Sequence, residues 1–113
     1  MADSIFTKIY KKEIPSEIIY EDDFVFAIND INPIAPIHIL VILKEEIPTI
    51  NDINANNESI MGKIILAAKH IAFQKGIAEN GYRLIFNCNE DGGQTIFHIH
   101  CHLLAGTKLT WNA

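Results

Sequence analysis

The chain of 113 residues contains only two cysteines, Cys88 and Cys101. Two cysteines are too few for a disulfide framework, so we expect both to be free thiols and Cys101 to be a small apolar core residue. The first residues lack the basic segment and the apolar run that make up a secretory signal. These absences favour a cytoplasmic protein.

Long apolar runs and an excess of basic residues are also missing. The most apolar stretch, residues 34–43, is interrupted by Pro36 and His38 and is too short to cross a bilayer. The formal net charge is −5, whereas a broad nucleic-acid surface needs a basic face. We therefore predict no membrane and no nucleic acid as a partner, although a small anionic ligand is compatible with this charge.

The composition that is present is that of a globular protein, with 49% hydrophobic and 20% charged residues. We predict that residues 1–113 form a single domain. Periodicity and turn residues predict helices over 4–12 and 57–75, and strands over 16–20, 24–28, 36–43, 82–87 and 97–104. This order predicts an α+β fold with a mostly antiparallel sheet.

Three of the five histidines, His98, His100 and His102, occupy alternate positions in the last predicted strand. Alternation places them on one face of the strand, with Ile99 and Cys101 on the other. Alternate residues start about 6.6 Å apart along a strand, so His100 and His102 can flank one small anionic group. We interpret this stretch as the functional site.

A metal site fits this pattern poorly. The outer two histidines start about 13 Å apart on a strand, whereas Zn–N distances are about 2.1 Å. At most an adjacent pair can bind one ion, with His38 as the obvious third histidine. We therefore predict no metal and no cofactor.

Histidine chemistry on phosphorus fits better. A neutral imidazole is a competent nucleophile, a protonated neighbour can donate to phosphate oxygens, and both forms exist near neutral pH. Backbone N–H groups at Gly92-Gly93 can approach an anion closely. The loop also supplies neutral donors from Asn87, Gln94 and Thr95.

Other candidates have two readings from the residues alone. Asp30 is either a turn-former or an acceptor for ligand hydroxyls. His38, on an apolar strand, is either a core histidine or a member of the histidine cluster. The apolar face of Ile5, Phe6 and Ile9 either packs on the core or lines a pocket.

Residues 93–104 resemble the His-φ-His-φ-His-φ-φ signature of the histidine-triad (HIT) family, where φ is an apolar residue. Further segments resemble the histidine-triad nucleotide-binding (HINT-type) branch, namely residues 5–9, 12–15, 20–23, 30–33, 35–38, 81–83 and 91–94. The resemblance covers essentially the whole chain. Glu46 stands where some relatives have a histidine, which argues further against a structural zinc site.

The resemblance implies the HIT fold, a five-stranded antiparallel sheet with one long helix and a short N-terminal helix. It implies a homodimer in which two such sheets form one ten-stranded sheet. It also implies binding of a purine nucleoside monophosphate and hydrolysis of the P–N bond of purine nucleoside phosphoramidates through a nucleotidyl-histidine intermediate. Two alternatives stay open, a purine-nucleotide-binding regulatory or scaffold protein and a dinucleoside polyphosphate hydrolase.

The resemblance further implies roles for single residues. His100 is the expected nucleophile, His102 the phosphate contact, His98 the structural member of the triad, and His38 the residue that orients His100. Asp30 is expected to bind the ribose hydroxyls, and Trp111 to lie near the partner subunit's site. The base pocket is expected from Ile5, Phe6, Ile9, Ile14, Ile28 and Ile31. The phosphate surroundings are expected from Asn87, Gly93, Gln94 and Thr95.

Overall fold

The computed structural model describes residues 3–112. Its strands are β1 (Ile18–Glu21), β2 (Val25–Asn29), β3 (Ile37–Leu43), β4 (Arg83–Ile85) and β5 (His100–Ala105). They form one antiparallel sheet in the order β1-β2-β3-β5-β4. The helices are α1 (Ile5–Tyr10) and α2 (Ser59–Gln74), and a 3₁₀ turn spans Ile50–Asp52. The predicted α+β fold, with its five-stranded antiparallel sheet, long helix and short N-terminal helix, is confirmed.

Both helices form where their sequences favour them. Ser4 caps α1, because its hydroxyl accepts a hydrogen bond from the Thr7 N–H at 3.1 Å. The apolar stripe of α2 is buried at helical spacing and includes Ile64, Ala68 and Ile71. Gly76 follows α2 at a φ of 73°, the left-handed conformation that often ends a helix.

The sheet buries apolar side chains on both faces. One face packs against α2 through alternate residues of the strands, among them Val25, Ile39, Val41, Cys101 and Leu103. The other packs against α1, where Phe6 and Ile9 contact Phe26, Ile28, Leu40 and Ile42. Each fully buried side chain of this size contributes about 1.5–3 kcal/mol by leaving water. Burial on both faces explains why β3 is apolar along almost its whole length.

The last strand is shorter than predicted at its start. β5 begins at His100, whereas the alternation predicted a strand from residue 97. Residues 96–98 turn tightly, with the His98 N–H donating to the Ile96 carbonyl at 3.0 Å. Ile99 then bonds to Ile47, outside the sheet, at 2.8 Å. The alternating sequence pattern therefore begins before the strand itself, which starts only at His100.

No helix within residues 3–112 combines the length and the apolar character that a bilayer crossing requires. The predicted single domain over 1–113 includes residues 1, 2 and 113, which lie outside the described part. Both cysteines are free, and Cys101 is buried in the sheet as predicted. Burial raises the pKa of the Cys101 thiol to about 12, so this thiol is inert at neutral pH.

Candidate active site

The pairing of β3 with β5 brings three histidines onto one face of the sheet. His102 lies opposite Leu40 and His38 lies opposite Leu104, so these side chains project on the same side as His100. The ring centres of His100 and His102 are 5.1 Å apart, and those of His38 and His102 are 5.2 Å apart. This face is the one that packs against α1.

His98 occupies a different position from the other two triad histidines. It lies in the bend before β5, is fully buried, and places Nε2 2.6 Å from the carbonyl oxygen of Leu43. Its Nδ1 lies 2.5 Å from the hydroxyl of Ser4, just before α1. The expectation of three histidines on one strand face is therefore corrected, because only His100 and His102 belong to the strand.

The hydrogen bonds of His100 determine which ring nitrogen is free. Its Nδ1 lies 2.7 Å from the main-chain carbonyl of His98. A carbonyl only accepts hydrogen bonds, so Nδ1 carries the hydrogen and Nε2 of the neutral ring keeps its lone pair. Burial lowers the pKa of His100, although the bond to His98 and the charge of Asp30 oppose this. His100 is therefore neutral at pH 7, with Nε2 available as a nucleophile.

His38 contacts His102. The Ile34 N–H donates to Nδ1 of His38 at 3.2 Å, so Nε2 of His38 carries the hydrogen and donates to Nδ1 of His102 at 2.9 Å. In the neutral form, His102 then carries its hydrogen on Nε2. The strand register places His38 two residues from Leu40, the partner of His102, so His38 contacts His102 directly. The expectation that His38 helps to orient His100 stays a prediction.

His102 is a neutral donor at pH 7. Burial, and after it the neighbouring His100 and His38, lower the pKa of His102 to about 4. We expected a protonated imidazole at this position, and the crowding of three rings in a partly dry site explains the difference. A bound phosphate anion would raise this pKa by stabilising the charged form.

Asp30 forms a turn, which is one of the two readings that the sequence left open, and its role as an acceptor for ligand hydroxyls stays a prediction. One carboxylate oxygen accepts from the Asn32 N–H at 2.8 Å and forms the turn after β2. The other lies 3.4 Å from Nε2 of His38. The side chain therefore both shapes the turn and reaches the histidine cluster.

Asp30, His38 and His102 also form the one described group whose ligand atoms all lie within 4.8 Å of one another. Its donors fit a metal ion poorly. His38 could bind an ion through Nε2 only with its hydrogen moved to Nδ1, where it would oppose the Ile34 N–H. The predicted absence of a metal and of a cofactor stays a prediction.

A cavity of about 270 Å³ adjoins the histidines. It is lined by Ile34, His38, Ile85, Asn87, His102 and Leu104. Its size is near the lower end for ligand pockets. Its mixture of apolar side chains with an amide and two imidazoles suits a ligand that is partly polar.

The loop before β5 uses most of its donors internally. The N–H groups of Gly93 and Gln94 donate to Glu90 and Asn89 at 2.9 and 3.0 Å. The Gln94 side chain accepts from the Asn89 N–H at 2.9 Å and donates to the carbonyls of Pro48 and Ile96. These bonds hold the loop in shape, and the expectation that Gly93 and Gln94 surround a phosphate stays a prediction.

Asn87 and Thr95 are the remaining phosphate candidates. Asn87 donates one hydrogen of its amide to the Gly92 carbonyl at 2.7 Å and also lines the cavity. Thr95 is exposed on the loop. Gly93 adopts a φ of 81°, which turns the chain between these two residues.

The expected base-pocket residues divide into two groups. Phe6, Ile9 and Ile28 are buried together, and Ile14 packs against them. The core-packing reading of the α1 face therefore holds for Phe6 and Ile9. Ile5 and Ile31 are 48% and 90% exposed.

Trp111 is 93% exposed within the chain. The guanidinium of Arg83 donates to the carbonyl of the preceding residue, Thr110, at 2.6 Å. This bond holds the C-terminal segment beside β4, at the edge of the sheet. The expected place of Trp111 near a partner subunit's site stays a prediction.

Sequence reasoning missed three residues that surround His98. Glu46 was given no role in the site, and neither were Ser4 and Thr7. Glu46 accepts hydrogen bonds from both, at 2.8 Å from the Ser4 N–H and 2.7 Å from the Thr7 hydroxyl. No local pattern signals these contacts, because Glu46 lies 39 positions from Thr7.

The fold and the site together define an α+β protein with a cluster of three histidines on two paired strands. The HIT domain family model matches residues 11–109. The chain belongs to the HIT domain family.

Named relatives agree with this assignment. The purine nucleoside phosphoramidase of Escherichia coli strain K12 is 54% identical over 107 residues, which cover 95% of this chain and 90% of that protein. A HIT family hydrolase from Clostridium thermocellum is 50% identical, with a TM-score of 0.93 over 97% of this chain and 96% of that chain. A HIT family hydrolase from Legionella pneumophila is 45% identical, with a TM-score of 0.93 over 96% of this chain and 97% of that chain.

Proposed function

We propose that the protein hydrolyses purine nucleoside 5′-phosphoramidates through a covalent nucleotidyl-histidine intermediate. The activity is supported by the name of the Escherichia coli relative, which is 54% identical. The mechanism rests on one observation, that Nδ1 of His100 bonds to the His98 carbonyl and leaves Nε2 unprotonated. A buried neutral imidazole of this kind is a nucleophile that needs no metal.

In the first step, Nε2 of His100 attacks phosphorus and forms a new P–N bond. The bond between phosphorus and the amine of the substrate breaks, and the amine leaves with a proton taken from water. The phosphorylated ring of His100 then carries a positive charge. Its Nδ1–H stays bonded to the His98 carbonyl, which stabilises that charge.

In the second step, water attacks the phosphorus of the intermediate and releases a nucleoside monophosphate, and the proton lost by this water neutralises the hydroxide left by the first step. His100 leaves as the neutral imidazole and is ready for another cycle. Through both steps, His102 donates from Nε2 to a phosphate oxygen, because His38 occupies its Nδ1. The donor strengthens as negative charge develops on that oxygen.

The nucleoside is bound by groups away from the histidines. Asp30, beside His38, accepts hydrogen bonds from the ribose hydroxyls. The purine lies against the apolar side chains around α1, with Ile5 and Ile31 exposed at its edge. Asn87 and Thr95 contact the phosphate from the loop side.

The active form in this proposal is a cytoplasmic homodimer. β4 is an edge strand of the sheet, so pairing with β4 of a second copy would extend five strands to ten. The Arg83–Thr110 bond holds the C-terminal segment at the same edge, where Trp111 would approach the partner's site. Sedimentation of the purified protein measures this association.

The test compares turnover of adenosine 5′-phosphoramidate by the wild type and by His100→Ala. Loss of the nucleophile should lower kcat by roughly 10³-fold or more, with the fold and some binding of adenosine monophosphate retained. His70→Ala is the matched control, because His70 is an exposed histidine of α2. Unchanged turnover in His100→Ala would show that the mechanism is wrong.

The stereochemistry at phosphorus tests the intermediate. Two successive displacements retain configuration in a chiral phosphorothioate analogue, whereas direct attack of water inverts it. Competition between the phosphoramidate and a diadenosine polyphosphate distinguishes the alternative hydrolase. Tight binding of purine monophosphates without turnover of any phosphoramidate would indicate the binding or scaffold role.

A further inference from the structure

A small polar cluster, made of Ser4, Thr7 and Glu46, links α1 to the buried ring of His98. One carboxylate oxygen of Glu46 accepts from the Ser4 N–H at 2.8 Å and from the Thr7 hydroxyl at 2.7 Å. The Thr7 N–H donates to the Ser4 hydroxyl at 3.1 Å. That hydroxyl lies 2.5 Å from Nδ1 of His98. Glu46 is an exposed residue of the loop after β3, so a surface side chain reaches the site through two hydroxyls.

The His98 ring sets the direction of the short hydrogen bonds in the cluster, and the 3.4 Å contact between the hydroxyls of Ser4 and Thr7 then carries no hydrogen. The Leu43 carbonyl only accepts, so Nε2 of His98 carries the hydrogen and Nδ1 has the lone pair. The Ser4 hydroxyl must therefore donate to His98 and accept from the Thr7 N–H. The Thr7 hydroxyl donates to the carboxylate of Glu46. The cluster thus holds His98 in one neutral tautomer with both ring nitrogens bonded.

This arrangement bears directly on His100. The main-chain carbonyl of His98 is the group that keeps the hydrogen on Nδ1 of His100. The plane of that carbonyl depends on how the His98 ring is anchored at its two nitrogens. Phe6, in the same helix as Thr7, also packs edge-on against the rings of His98 and His100, with ring centres 5.6 and 5.0 Å away respectively.

We propose that Glu46, acting through Ser4 and Thr7, is a positioning residue for the nucleophilic histidine. It holds the start of α1 against His98, and His98 in turn sets the orientation and tautomer of His100. The role rests on the proposed function of His100 as the nucleophile. Neither Glu46 nor Thr7 touches the reacting atoms.

The first experiment compares Glu46→Ala and Glu46→Gln with the neighbouring exposed control Glu45→Ala. Glu46→Ala removes the acceptor for both bonds, so kcat should fall about tenfold while KM changes less than twofold. Glu46→Gln keeps an acceptor oxygen and should recover most of the lost kcat. Glu45→Ala should match the wild type. Equal kcat in Glu46→Ala and the wild type, measured well below the melting temperature, would overturn the proposal.

A second pair of variants tests the same chain of bonds at Thr7, in case Glu46→Ala folds poorly. Thr7→Val removes the hydroxyl at nearly constant shape and should lower kcat, whereas Thr7→Ser keeps the hydroxyl and should retain it. A cycle that combines Thr7→Val with Glu46→Ala should show effects that do not add, because both changes break one chain of bonds. Additive effects would contradict the proposal.

Nuclear magnetic resonance of the imidazole nitrogens separates this proposal from the proposed function. In the wild type, Nε2 of His98 and Nδ1 of His100 should each show a bound hydrogen. In Glu46→Ala or Thr7→Val, the resonances of His98 and of Nδ1 of His100 should shift. Unchanged resonances would exclude positioning even if the wild type hydrolyses phosphoramidates. Shifted resonances in a protein without turnover would support the positioning role and reject the proposed reaction.

Discussion

His38 and His102 share a hydrogen bond of 2.9 Å, although 64 positions separate them in the chain. The bond follows from the register of β3 and β5, in which His102 faces Leu40, two residues from His38. His100 faces Ile42 and is held by the carbonyl of His98. The two histidines of the strand are thus oriented by different parts of the molecule, one by a side chain and the other by the main chain.

Replacement of His38 should affect His102 first. His38 is one of the groups that lower the pKa of His102. In His38→Asn this effect is lost, so the pKa of His102 should rise above about 4. The tautomer of His102 is also released, and kcat/KM should fall about tenfold. Imidazole titration by nuclear magnetic resonance and initial-rate kinetics measure both effects. The control His70→Asn changes an exposed histidine and should leave both values unchanged, and an unaltered His102 titration in His38→Asn would contradict the assigned bond.

The acid side of the rate profile should report His100. A proton on Nε2 blocks attack, so kcat/KM falls as pH drops through the pKa of this ring. Burial lowers that pKa from its ordinary value of about 6.5. The inflection should therefore lie below pH 6.5, and most activity should remain at that pH. An inflection at or above pH 6.5 would mean that the nucleophile is not buried in this way.

Two glycines offer a paired test of packing. A Cβ at Gly92 would lie 2.5 Å from the carbonyl oxygen of Cys88, a backbone atom that cannot move aside. Gly92→Ala should therefore destabilise the protein by about 1–3 kcal/mol. Gly62, in α2, has nothing within 4 Å of such a Cβ, and Gly62→Ala should stabilise by about 0.5–1 kcal/mol. Urea unfolding of both variants measures the difference, and a stable Gly92→Ala would show that the loop has a different conformation.

Much of the fold followed from local patterns in the sequence. The apolar stripe of α2, the hairpin of β1 and β2, and the continuous apolar run of β3 each depend on neighbouring residues. The alternating histidines predicted correctly that His100 and His102 share one face, because alternation survives in β5. The pattern placed His98 in the strand as well, since a sequence does not show that its ring bonds to a carbonyl at Leu43 and to Ser4.

The parts that could not be predicted depend on long-range contacts. The partner of His38 is chosen by strand register, which joins residues far apart in the chain. The loop donors at Gly93 and Gln94 are typical of anion binding, but they donate to Glu90 and Asn89 within the loop and to Pro48 in the segment after β3. Glu46 lies in a polar segment like many others, and only the folded chain brings it to α1.

The pairing of β3 with β5 also determines when the site can exist during folding. Four hydrogen bonds around the histidines join residues separated by 42, 55, 64 and 94 positions. No local segment of the chain therefore contains a working fragment of the site. Contacts of such long range form slowly, because the chain must first lose the entropy of closing the intervening loops. Helix α2 can form early from its own sequence, yet the histidine centre is assembled only with the complete sheet.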